Sequence, residues 1–499
     1  MKRYVLKVPN DSLVAKLVCV AFASSLVLVG FFMEPPGEIF KGLWLFITSR
    51  AVLITDYFAL GSIGAAFVNA GLVMFISIGL TLLTKAPYNG ATVAALFLMP
   101  GFALFGKNPV NILPFFLGVF LYARYCKEPM KKHTSAALYS TTLAPIVSDL
   151  MLLTPYSLPV RLLLAFAAGV IIGFVIVPLA KHMLQMHRGY NMFNYGFVSG
   201  IIAYLYTSIA TARGLDVRVA SYWHLGVDRS VLIFLLAVCA ILFLLGGFFG
   251  GWRLRKYLHI MRPHGHATHD LILSDGIGVT MVNMSVVGLL CLGYILLIGG
   301  DLSGPVLGAI FTAIGFSATG AHPRNIAPIM FGVWIASSPD ITAHATNPVI
   351  QLAAVFGAVA LAPIAGEFGP FMGIIAGLLH FPLVYSTGGG TGGFNLYNNG
   401  FAAGLVAAIM VILLHTFLPR FGVVTQRRIM RVLLLNFRKH PHPHEAVQTN
   451  VQPEIPNRLQ KAFDSMERRA HVAQHLIDDP HPAAQKEQPA HERAAEKEA

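Results

Sequence analysis

The chain has 499 residues, 55% of them hydrophobic and 12% charged, whereas ordinary soluble domains run at roughly a quarter charged. That composition excludes a water-soluble globule. The formal net charge of +13 would suit a nucleic-acid binder if it covered a soluble face, but Arg and Lys gather in loops and in the C-terminal tail, where they orient a membrane protein instead.

Lys2, Arg3 and Lys7 precede an apolar run from Leu13 to Met33. The run is too long for the h-region of a cleaved signal and reads as a retained first span. Further apolar stretches lie near 59–84, 90–105, 110–125, 134–153, 159–180 and 193–211, which makes about seven spans able to cross a hydrocarbon core roughly 30 Å thick. Stretches near 230–249, 272–299, 304–319, 324–337, 347–365, 370–386 and 395–418 bring the total to about fourteen. The short ones at 90–105 and 324–337 are flanked or interrupted by Gly and Pro and are candidates for re-entrant segments.

The second set repeats the first. GKNPVNILPFFLGV at Gly106–Val119 returns as GAHPRNIAPIMFGV at Gly320–Val333, an offset of 214 that also places Asp56, Gly64 and Asn69 on Asp270, Gly278 and Asn283. LAPIVSD, ending at Asp149, meets LAPIAGE, ending at Glu367, at an offset of 218. GYNMFNYGFVSG at Gly189–Gly200 meets GFNLYNNGFAAG at Gly393–Gly404 at 204. An odd number of spans per copy starts the second copy on the opposite side of the membrane. The expected fold is an all-α polytopic membrane bundle of two inverted repeats with broken or re-entrant segments. Its parts are a first repeat over 1–211, an external loop over 212–229, a second repeat over 230–420 and a cytoplasmic tail over 421–499. With the N-terminus inside, the basic loops Arg124–His133, Lys181–Arg188 and Trp252–His269 fall on the cytoplasmic face of the plasma membrane, as does the tail with Arg427, Arg428 and Arg431.

Asp149 and Glu367 are symmetric carboxylates within or beside spans, where ionisable groups are costly and usually face the protein interior or water. They could bind a cation, take up a proton or meet a substrate; equally, each could end its span in headgroup water. Four asparagine pairs, Asn69 with Asn283, Asn111 with Asn325, Asn191 with Asn395 and Asn194 with Asn398, offer donors and acceptors to a polar solute, or tie broken helices together. Pro109, Pro114, Pro323 and Pro328 are expected to interrupt helices, leaving backbone groups that are tolerated only inside protein or along a polar cavity. His259, His264, His266 and His269, with Asp270, match no standard metal spacing, so neither metal nor cofactor is expected. His380 falls on Ile176 at the 204 offset, so the repeat gives it no partner. Cys19, Cys126, Cys239 and Cys291 read as packing residues.

The motifs FNYGFVSGIIA and YNNGFAAGLVA look like the tyrosine, asparagine and glycine signature that recurs in both halves of urea transporters, themselves built from inverted halves. In length and motif order the whole chain resembles an uncharacterised bacterial family of multi-spanning membrane proteins known only as a domain of unknown function. That resemblance implies membrane location. The expected activity is that of a transporter or channel moving a small polar solute or ion between the repeats, coupled to protons if Asp149 or Glu367 titrates. It is not expected to be an enzyme. The alternatives are a membrane-embedded enzyme using the same carboxylates and His380, or an anchor or sensor acting through the tail. The expected partners are the solute and the lipid bilayer, not nucleic acid, and a homo-oligomer is compatible with them.

Overall fold

The computed structural model describes residues 10–50, 55–152, 156–215, 222–261, 269–337 and 347–417. The expected tail at 421–499 lies outside the described residues, as do Pro9, Asp216, Arg218, Arg262, His264 and His266. The first half contains α1 (Asp11–Met33), α2 (Pro36–Thr48), α3 (Tyr57–Leu60), α4 (Ile63–Thr84), α5 (Gly90–Phe102), α6 (Leu113–Tyr125), α7 (Thr134–Ser140), α8 (Ala144–Met151), α9 (Leu158–His187) and α10 (Asn194–Ala212). The second contains α11 (Arg229–Gly250), α12 (Leu254–Ile260), α13 (Leu271–Asp275), α14 (Ile277–Leu297), α15 (Gly304–Phe316), α16 (Pro323–Ala336), α17 (Pro348–Phe368), α18 (Pro370–Gly390) and α19 (Asn398–Phe417).

The sequence offsets reappear as helix boundaries. Ile63, Gly90 and Thr134 open helices 214 residues before Ile277, Gly304 and Pro348 do, and Asn194 opens α10 204 residues before Asn398 opens α19. Side-chain caps fix several of these starts by satisfying the first free N–H groups: Ser62 for α4, Asn89 for α5, Ser303 for α15 and Asn347 for α17. Where α4 and α14 run out, Lys85 and Gly299 turn the chain in the left-handed region.

Burial sorts the helices. All of α15 is buried, and all of α5 except Ala91. Helices apolar on every side belong in an interior, and these two form the centre. By contrast, α1, α9 and α11 leave Leu28, Phe32, Leu163, Ile171, Leu244 and Phe248 exposed. Apolar faces of that extent are stable in hydrocarbon rather than water, so the chain is a multi-pass membrane protein.

Nine of the described helices are long and apolar enough to cross a bilayer. The expected spans at 90–105, 110–125, 304–319 and 324–337 are instead helices of 13 or 14 residues, about 20 Å long at 1.5 Å per residue and so short of a roughly 30 Å core. The expected span at 134–153 is divided into α7, a 3₁₀ turn at Thr141–Leu143 and α8, although its counterpart α17 is continuous. The amphipathic α2, with Phe40 and Trp44 exposed, was not among the expected elements.

Candidate functional site

At the centre, α5 and α15 lie side by side and run antiparallel. A Cβ built on Gly308 would meet the carbonyl oxygen of Gly101 at 2.2 Å, while one on Gly315 would meet Ala94 at the opposite ends of the pair. Each helix is held at its N-terminus by the other half. The N–H of Gly304 donates to Asp56 at 3.1 Å, and the N–H of Gly90 donates to Asp270 at 2.9 Å. Asp56 and Asp270 are themselves related by the 214 offset, so the capping is reciprocal. The sequence aligned this pair but gave no reason to single it out, because the partners lie 248 and 180 residues away.

The eight asparagines all donate to backbone carbonyls. Asn69 bonds Ala103 and Lys107, and Asn283 bonds their equivalents Ser317 and Ala321, tying each long helix to the break after α5 or α15. Asn111 and Asn325 bond Gly106 and Gly320 and accept from the N–H of Asn108 and His322. Asn194 and Asn398 bond Ala180 and Val384. Asn191 and Asn395 reach across: Asn191 donates to Gly400 at 3.0 Å and Asn395 to Gly196 at 3.1 Å. These amides therefore fasten broken backbone near the junction, and two join the halves directly.

The prolines act differently from expectation. Pro323 opens α16 and Pro114 lies in the first turn of α6, positions where the missing N–H has no helical partner to lose. Pro109 lies in the turn before α6. Pro328 does not break α16, which continues through it to Ala336; one absent hydrogen bond is tolerated where the ring packs close to Gly373.

Asp149 is 4% exposed and Glu367 8%. The Arg50 guanidinium forms an ion pair with Asp149, which also accepts from the Tyr206 hydroxyl. Glu367 is hydrogen-bonded to Tyr190. No hydrogen bond joins either carboxylate to the asparagines among the described residues, although Ser148, next to Asp149, accepts from Asn111. His380 bonds Asn399, and His259 stands 3.7 Å from Asp275.

Two features escaped the sequence reading. Lys107 is fully buried, with its amine 3.5 Å from the Met99 sulfur and 5.0 Å from the centre of the Phe102 ring. Its equivalent in the second half is Ala321, a departure from the repeat that could have drawn attention to it. The other feature is a cavity of about 180 Å³ where α5, α7, α10 and the end of α15 converge. Tyr139, Phe193, Tyr195, Phe316 and Tyr397 supply its aromatic walls.

The sequence profile of a family described as "Protein of unknown function (DUF1576)" matches residues 35–212 and 251–416, most of both halves. The chain belongs to this family. No curated protein and no solved structure matches the DUF1576 chain, and a similarity to urea transporters is not shown.

Proposed function

We propose that this protein is a carrier or channel that moves a small polar solute or ion across the plasma membrane, along a path between two halves of opposite orientation. Its termini lie in the cytoplasm, it acts without covalent chemistry, and the counted spans include the paired short helices as re-entrant or partial crossings. The observation that carries the reading is the antiparallel, reciprocally capped pair α5 and α15. Two half-length helices meeting at a repeat interface leave backbone ends in the interior, the arrangement in which transporters place a midplane site. The cavity at the end of α15 and the buried Lys107 in the break after α5 support it. The basic loop at Arg124–His133 and the basic C-terminal end of α9 at Lys181–Arg188 support the orientation.

The test is flux into proteoliposomes containing the full chain, with urea, glycerol, glycine, acetate and phosphate as probes, with and without a pH gradient. Faster entry of at least one probe than into empty vesicles is expected. If all five enter at the empty-vesicle rate, the transport reading fails. With a solute in hand, Asp149→Asn combined with Glu367→Gln should abolish acceleration by the gradient; an unchanged acceleration removes the proton role.

A further inference from the structure

Where α11 ends, the second half departs from the first. Gly30 of α1 lies against Gly64 and Val68 of α4, and Gly246 of α11 lies in the same way against their counterparts Gly278 and Val282 of α14. One turn further on, Glu34 packs on Gly64 as Gly250 packs on Gly278. The Glu34 carboxylate accepts from the Ser62 hydroxyl and from the N–H of Gly64, so an acidic side chain fills this place in the first half. Gly250 has no side chain to fill its own. A groove of about 140 Å³ is left open there, lined by Gly246, Gly247 and Gly250 of α11 and by Val279 and Val282 of α14.

Trp252 and Arg253, both exposed, complete the lining. Trp252 holds a left-handed φ of +53°, directly after Gly251 at +69°, a conformation that is an outlier for a bulky residue. It lays the indole over Gly247, whose added Cβ would stand 2.4 Å from three ring carbons. Strain of this kind persists at ligand clamps, where surrounding contacts outweigh it. The span α11 finishes at Gly250, so the glycines and valines lie within its last turns and Trp252 at headgroup level, where interfacial tryptophans sit. Arg253 follows, with Arg255 exposed on α12. No carboxylate pairs with either arginine among the described residues. The nearby acids are turned to other cations: Asp275 stands 3.7 Å from His259, and Asp11 approaches Gly276 together with Lys256. An apolar cleft within a span, with uncompensated cations at its aqueous end, matches the polarity of a lipid with its chain inward and its phosphate outward.

We propose that this groove binds an anionic phospholipid, with its phosphate at Arg253 and the start of an acyl chain along Gly246, Gly250 and Val282 beside the Trp252 indole. The lipid supplies from outside the negative charge that the first half carries on Glu34. Guanidinium and phosphate meet through parallel charge-assisted hydrogen bonds, and the further charge of Arg255 favours an anionic headgroup over a zwitterionic one. The site lies away from the contact between α5 and α15 and stands whether or not the protein carries a solute.

The experiment is native mass spectrometry of the full chain in detergent, equilibrated with graded phosphatidylglycerol or with phosphatidylcholine of the same acyl chains. One phosphatidylglycerol should stay bound at concentrations where phosphatidylcholine does not. Arg253→Ala should weaken phosphatidylglycerol roughly fivefold, the worth of one cation beside an anionic lipid. Gly250→Glu gives the second half the side chain of the first, at a position where the added Cβ would stand 3.3 Å from its nearest neighbour. It should weaken the lipid at least as much while leaving Arg253 in place. Lys41→Ala removes an exposed cation from α2 and should change nothing. The proposal is overturned by equal binding of the two lipids, by unchanged phosphatidylglycerol binding in Arg253→Ala or in a folded Gly250→Glu, or by displacement of the lipid by millimolar inorganic phosphate. An equal loss in Lys41→Ala also overturns it, because the effect would then be one of overall charge.

Discussion

Replacing Lys107 with methionine keeps the length of the side chain and removes an amine that has a thioether and a phenyl ring for neighbours. No carboxylate pairs with it among the described residues. Burial of a charge without a counter-charge is strongly unfavourable, and apolar replacements at such positions are often stabilising. Lys107→Met should therefore raise the thermal midpoint in detergent, by the equivalent of about 1–3 kcal/mol; a lowered midpoint would mean that the amine has a stabilising partner. The opposite outcome is expected at Asn191 and Asn395. Either alanine substitution removes the side-chain hydrogen bond to a helical glycine carbonyl at the junction, a loss of about 1 kcal/mol for hydrogen bonds between membrane helices. In the loop after α6, the hydrogen bond from His133, 2.7 Å away, holds the Glu128 carboxyl below the usual carboxylate range, with Lys132 assisting. A depressed folded-state value contributes stability above the unfolded value, about pH 4.3, and loses it as pH falls through the folded one. Thermal midpoints measured from pH 7 downwards should accordingly fall less steeply on the acid side for Glu128→Gln than for the wild type.

Gly308 offers the cleanest test of the central helix pair. Its added Cβ would stand 2.2 Å from a backbone oxygen of α5, and backbone cannot rotate aside as a side chain can. Gly308→Ala should cost about 1–3 kcal/mol, as overpacking does. At Gly293 in α14, nothing lies within 4 Å of the added carbon, so Gly293→Ala should be neutral or stabilising by up to about 1 kcal/mol through helix propensity. Similar midpoints for the two variants would show that α5 and α15 are less closely packed than their glycines indicate. This pairing marks what the sequence could and could not reveal. Repeated Gly, Pro and Asn at fixed offsets disclosed the boundaries of α4, α5, α10 and their counterparts because local caps and turns decide those. The offsets also located the asparagines, but hydrogen-bond partners such as Ala180 for Asn194 or Gly400 for Asn191 depend on tertiary contact. Nor does any local signal explain why 134–151 breaks at Thr141 while α17 runs on. The Thr142 hydroxyl accepts from the N–H of Tyr397 and its carbonyl from that of Leu396, contacts set more than 250 residues away in the chain.

At the scale of the molecule, opposite orientation of the halves makes a prediction that ordinary sequence duplication does not. Ala59 in α3 and Leu273 in α13 are equivalent by the 214 offset, and each is exposed just after its capping aspartate. If the second half is inverted, α1 carries the chain outward before Ala59, and α11 returns it inward before Leu273. Parallel halves would put both residues on one side. Cys19, Cys239 and Cys291 are buried, and Cys126 is partly exposed, so a Cys126→Ser background removes the one native thiol open to labelling among them. In that background, a membrane-impermeant maleimide applied to intact cells should modify Ala59→Cys and spare Leu273→Cys, which should react only after permeabilisation. Both positions labelled from outside, or both only after permeabilisation, would exclude inversion. The carrier reading would then lose its support from α5 and α15, because antiparallel contact between halves of like orientation could not come from an axis in the membrane plane.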